Sequence, residues 1–229
     1  GIPDYLDAIG DSAILQSIEA VSDRALLMTE PGLGLRLGGT ALAAGYYAAG
    51  ITLLDIEVYA TQVGGGVSVS ASVGDERVYP GGLFDFEVTG LPELGQSVRV
   101  VIPQAAPIGA DAVYRKYQLD SGWQDFVEDT GNSIASAPGN PDSCPAPGAA
   151  DYRPGLQAGH YCVQLTLEDG GPNDADGQRN GVIKDPGGVG SFPQAVADDN
   201  EEQVRTTSSG GGGGGGGGGC VAGTRDSVD

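Results

Sequence analysis

The sequence predicts an all-β protein built as an antiparallel β-sandwich. Three observations carry that expectation: apolar and polar residues alternate with a period of two in several short runs, turn-forming residues separate those runs, and no stretch shows the periodicity of an amphipathic helix. Glycine (41) and proline (14) together form about a quarter of the 229 residues, a composition that favours strands joined by many turns.

Between residues 11 and 61 the apolar runs are 25–28, 33–37 and 51–59, separated by glycine-rich turns. Leu33, Leu35 and Leu37 alternate with Gly34 and Arg36, the spacing of a half-buried strand. The run 51–59 fits either a strand or a short helix. Gly64-Gly65-Gly66 marks a boundary. Beyond it, 67–73 alternates between apolar and small polar residues, and Phe84, Phe86 and Val88 alternate with Asp85 and Glu87; each reads as a strand with one buried face. The more continuously apolar 98–102 suits a central strand that ends at Pro103. Segments 113–117 and 123–127 flank Asp120-Ser121-Gly122, which is hairpin chemistry. Residues 160–167 return as a long strand with Tyr161, Val163, Leu165 and Leu167 on one face and Cys162, Gln164 and Thr166 on the other. This pattern of short strands and turns suits an immunoglobulin-like or jelly-roll sandwich. The expected division is a smaller β-rich unit over 8–63, the sandwich over 67–193, and an acidic, glycine-rich linker over 194–229. Ten consecutive glycines, Gly210 to Gly219, cannot repay their backbone entropy by burial and are expected to act as a flexible tether.

Charge narrows the partners. With 11 Lys+Arg against 31 Asp+Glu the net charge is −20, which repels a phosphate backbone and an anionic membrane surface, so nucleic acid is not an expected partner. No run approaches the ~20 apolar residues of a transmembrane helix. The carboxylate excess suits both hard-cation binding and solubility. Cys144 and Cys162 flank one loop, and a bridge between them would contribute roughly 3 kcal/mol and require an oxidising compartment.

The best metal candidate is the loop from Asp169 to Gly181. Calcium takes about six to eight oxygens, and glycines let carboxylates and amides converge in a tight loop. Asp174, Asp176 and Asn180 are the expected side-chain ligands, assisted by Asp169 or Asn173; the competing reading is an Asx-rich turn leaving a strand. Tyr114, Tyr117, Trp123 and Phe126 are candidates for an aromatic platform under an extracellular glycan or protein ligand, and equally for cross-strand packing. His160 is the sole histidine; alone on a strand it reads as structural. Acid pairs such as Asp85 with Glu87 or Asp125 with Glu128 have the residue types for glycoside cleavage, but one strand's solvent face explains the first pair. Cys220, just beyond the glycines, is expected to be exposed and to serve processing or covalent attachment.

Several segments resemble a known bacterial family. Gly81-Gly82-Leu83-Phe84-Asp85-Phe86, Ser97-Val98-Arg99-Val100-Val101-Ile102-Pro103, Tyr114-Arg115-Lys116-Tyr117, Gly122-Trp123-Gln124-Asp125-Phe126 and Asp169-Gly170-Gly171-Pro172-Asn173-Asp174-Ala175-Asp176-Gly177 are similar to the choice-of-anchor U domain. Gly1-Ile2-Pro3-Asp4-Tyr5-Leu6-Asp7 resembles the tail of a thrombospondin type-3-like calcium repeat over 1–7, with Asp4 and Asp7 completing a shell begun upstream or acting as turn residues. The glycine run with Cys220 and the residues after it looks like the opening of a JDVT-CTERM-like C-terminal sorting region. The resemblance implies a place just ahead of a C-terminal sorting signal in a surface-destined protein, attached to the cell envelope through C-terminal anchoring machinery; with the strand pattern, the expected role is a non-catalytic stalk or display module outside the cell, with calcium (Ca2+) from the loop reading rigidifying it. The rival expectations are an adhesin or carbohydrate-binding module using the Trp123 hairpin, and a secreted hydrolase.

Overall fold

A computed structural model of the chain describes residues 14–16, 26–63 and 75–193. In chain order its strands are β1 (Ile14–Gln16), β2 (Leu26–Thr29), β3 (Gly34–Leu37), β4 (Gly50–Ile51), β5 (Leu83–Thr89), β6 (Ser97–Pro103), β7 (Val113–Gln118), β8 (Gly122–Asp125), β9 (Ser133–Ala137), β10 (Arg153–Pro154), β11 (Cys162–Glu168) and β12 (Ile183–Gly190). They form two antiparallel sheets, ordered β1-β2-β6-β11-β9-β10 and β3-β5-β12-β7-β8, with β4 pairing beside β3 on the same edge of β5. The result is a mostly β, sandwich-like structure. Strands from the 26–51 segment take places in both sheets, β2 against β6 and β3 and β4 against β5.

Alternation decides which side chains meet between the sheets. In the first sheet Val98, Val100 and Ile102 of β6 stand opposite Leu167, Leu165 and Val163 of β11, and all six are buried in the core cluster. In the second, Leu35 and Leu37 of β3, Phe84, Phe86 and Val88 of β5, Ile183 and Val189 of β12 and Tyr114 of β7 share one face through the cross-strand register. Burying each such side chain contributes about 1.5–3 kcal/mol. The 98–102 strand is internal and ends at Pro103, and β7 and β8 form the expected hairpin, with Gly122 at φ 73°.

The ambiguous 51–59 run resolves as helix. Helix α1 (Gly39–Ala43) follows β3, and α2 (Leu53–Val63) follows β4. The start of α2 is a capping box: the Asp55 N–H donates to Thr52 Oγ1 at 3.2 Å and the Thr52 N–H donates to Asp55 Oδ2 at 2.8 Å. Strand β12 went unread because Pro186, Gly187, Gly188 and Gly190 argue against a central strand. Its ladder with β7 begins at Gly187, so Pro186 sits only against Asp85 of β5. The glycines are there for close approach: a Cβ on Gly187 would lie 2.5 Å from the Arg115 carbonyl oxygen, and one on Gly188 2.6 Å from that of Gly82. The expected strand 67–73 and the tether lie outside the described residues.

Candidate functional site

The 169–181 loop leaves β11 and enters β12, and its oxygens are held by backbone N–H groups. Asp169, fully buried, accepts from the N–H of Gly95 at 2.7 Å through Oδ2, from Asn180 at 3.1 Å through Oδ1, and from Gly181 through both oxygens. Asp174 accepts from Gly170 at 2.8 Å and Lys184 at 3.0 Å, and burial raises its pKa. Asn173 clamps the Val127 backbone in both directions, accepting its N–H and donating to its carbonyl. Asp176 accepts from the Gln178 N–H and the Asn180 amide and pairs with Lys184 Nζ at 3.2 Å. Asn180 in turn accepts the Val182 N–H. Among the described residues no group of three or more His, Cys, Asp or Glu side chains is arranged to hold a metal ion. These oxygens accept peptide N–H groups, the bonding of an Asx-rich turn. Asp4, Asp7 and Cys220 lie outside the described residues.

The four hairpin aromatics separate onto two faces. Tyr114 and Tyr117 differ by three residues on β7, so alternation turns them to opposite sides. Tyr114 is buried in the core and meets Phe126 edge-on at 6.0 Å. Tyr117 and Trp123 are directly opposite across the hairpin, with rings 5.5 Å apart, and Tyr79 lies 5.4 Å from Trp123. Beside this cluster Arg115 binds Asp75 at 3.0 and 3.3 Å and Asp125 at 2.6 Å, and Tyr79 donates its hydroxyl to Asp75. Burial alone would raise the Asp75 carboxyl, but the hydrogen bonds from Arg115 and Tyr79 outweigh it and hold the group below its ordinary value.

The expected cysteine pair is formed. Cys144 and Cys162 are joined, with Cα atoms 5.6 Å apart, which ties the loop after β9 to the first residue of β11. Gly139 runs against the bridge, where a Cβ would sit 2.5 Å from Cys162 Sγ. His160 Nδ1 lies 3.0 Å from Ser136 Oγ. That hydroxyl is fully buried and also contacts the Gly155 carbonyl and the Gln157 N–H, both at 2.9 Å, so the pair is part of the packing.

The acid pairs are individually engaged. Asp85 accepts the Thr40 N–H at 2.6 Å at the start of α1, while Glu87 binds Arg36 at 2.8 Å. Burial pushes the Asp85 carboxyl up to about 6 against the opposing pull of hydrogen bonds from Thr40 and Ala41. Asp125 is taken by Arg115, and Glu128 accepts the Ile134 N–H. A pocket of about 250 Å³ between Val78, Gln104, Ile108 and Ser191 has one carboxylate in its lining, Asp111, which accepts the Phe192 N–H.

Sequence reading missed a buried polar centre. Lys116 and Asp185 lie on the core-facing side of β7 and β12, with Nζ and Oδ1 2.5 Å apart. A signal existed: Lys116 has the same strand parity as Tyr114, and Asp185 the same parity as Ile183, so alternation places both charges inward. A scan of protein-family models, a search of curated proteins and a search of solved structures each find no match to this chain.

Proposed function

We propose that this chain is a non-catalytic stalk or display module of a bacterial surface protein, carried outside the cell and attached through a C-terminal anchor. The observation that carries the reading is the Cys144–Cys162 bridge, because such bonds persist in oxidising compartments and are rare in a reducing cytosol. The resemblance to choice-of-anchor U domains supports the same assignment, and the net charge of −20 suits a soluble, exposed surface. The non-catalytic part rests on the acids and the histidine. Each of the four acids weighed for hydrolysis has a structural partner, and Ser136, the neighbour of His160, is buried and fully bonded.

A second reading rests on the half-buried Tyr79 and Trp123, whose rings pack beside the buried Tyr117 and are of the type that contacts glycans. Two preparations test these readings. Protein acid-quenched in its native host and alkylated without reductant should carry no label on Cys144 or Cys162, and should acquire it after reduction. Direct alkylation of both residues contradicts export. Binding on a glycan array that disappears in Trp123→Ala would replace the display reading with the adhesin one.

A further inference from the structure

The Lys116–Asp185 pair differs from every other charged contact described above. Lys116 is 1 % exposed and Asp185 0 %, and they reach one another across adjacent antiparallel strands. Gly187 lies directly opposite Lys116 and two residues from Asp185 on the same face, so no side chain stands between them. A Cβ at Gly187 would fall 3.1 Å from Asp185 Oδ1 and 3.0 Å from the Tyr114 ring; the missing methyl keeps the lysine path open.

The surroundings are apolar and the pair is poorly supported. Asp185 Oδ1 meets Lys116 Nζ at 2.5 Å and the Tyr114 hydroxyl at 3.4 Å, and Asp185 Oδ2 is buried without a hydrogen-bond partner. Asp169, equally buried, spreads both oxygens over three backbone N–H groups. A buried ion pair lacking such support does not recover the desolvation of its charges. Asp174 and Asp85 act on Lys116 only through their charge. Asp174 is held by Gly170 and Lys184, and Asp85 lies on the opposite face of the sheet, against α1.

We propose that Lys116 and Asp185 are the two halves of an intramolecular isopeptide bond, an amide from Lys116 Nζ to Asp185 Cγ that covalently staples β7 to β12. Burial lowers the affinity of Lys116 for its proton and raises that of Asp185, which favours the free amine and the carboxylic acid, the reactive forms. The amine nitrogen attacks the carboxyl carbon and forms the C–N bond. The C–OH bond breaks, one amine hydrogen leaves with the hydroxyl, and the product is an amide plus one water, with no redox change and no co-reactant. Tyr114, in contact with the carboxyl oxygen, is placed to relay that proton. Two groups held in contact by a folded core react at effective concentrations on the order of 10⁵ M or more, which drives condensation that free amines and acids do not undergo. The product replaces two buried charges by a neutral amide.

The test is the mass of the wild-type protein. The expected intact mass is one water below the sequence mass after allowing for the hydrogens lost at the disulfide, and proteolysis should yield a branched peptide with Asp185 attached to the Lys116 side chain. Asp169-Gly170 and Asp176-Gly177 could also lose water as succinimides, but hydroxylamine opens those and leaves the isopeptide intact. Asp185 cannot form a succinimide, because Pro186 offers no N–H. Lys116→Met and Asp185→Ala should each restore the full mass. Asp185→Asn should still crosslink, releasing ammonia instead of water. A wild-type mass matching the uncrosslinked chain, with Lys116 labelled by an amine-reactive reagent after denaturation, overturns the proposal.

Discussion

Four aspartates are buried among the described residues, Asp85, Asp169, Asp174 and Asp185, and their partners give them different roles. Asp169 and Asp174 accept backbone N–H groups and fix the loop between β11 and β12. Asp85 holds the first turn of α1, and Asp185 faces an amine. Asp85 leads to a pH prediction. A carboxyl whose folded pKa exceeds its unfolded value binds its proton more tightly in the folded state, so stability is lost as pH rises through that interval. For Asp85 the interval runs from 3.8 to about 6. Acidification from pH 7 to pH 5 should therefore stabilise the protein by about 1 kcal/mol. Asp75, held low, stays ionised through this range and does not oppose the gain. Thermal unfolding should show a higher midpoint at pH 5 than at pH 7, with the gain reduced in Asp85→Asn; a wild-type midpoint that falls on acidification contradicts this assignment. At this scale the sequence revealed which residue types cluster but not what each would touch. The oxygens of Asp169 have as partners Gly95, far away in sequence, and Asn180 and Gly181, and no local pattern announces such a contact.

Elements were legible where periodicity was strong and opaque where glycine replaced it. The alternation in 84–88, the more continuously apolar run 98–102 and the Asp120-Ser121-Gly122 turn correspond directly to β5, β6 and the β7–β8 hairpin. Helix α2 carried its own marker, the Thr52 and Asp55 capping box, which outweighs the β-favouring run that follows Ile51. Strand β12 had no such marker, because its place in the sheet depends on what its neighbours leave room for. Gly187→Ala would push a methyl to 2.5 Å from a backbone carbonyl that cannot swing away. We expect a loss of about 1–3 kcal/mol in urea unfolding. Gly177→Asn is the control: φ is 58° and nothing lies within 4 Å of its Cβ position, a conformation Asn tolerates. Equal stability of the two variants would contradict close packing at β12.

On the scale of the whole molecule, two sheets share one apolar core, and the disulfide fixes the loop after β9 to a strand inside the first sheet. The proposed staple would do the same for two adjacent strands of the second sheet. Such a staple beside the disulfide would reinforce both layers, which is what the proposed display role outside the cell would call for. The fold class was readable because alternation and turn residues are local signals. The proposed function was less so, since a display role is defined by where a module sits rather than by a reactive cluster. That location is open to direct measurement. Antibody against residues 75–193 should label intact cells of the native host as strongly as permeabilised ones; labelling that appears only after permeabilisation would contradict the account.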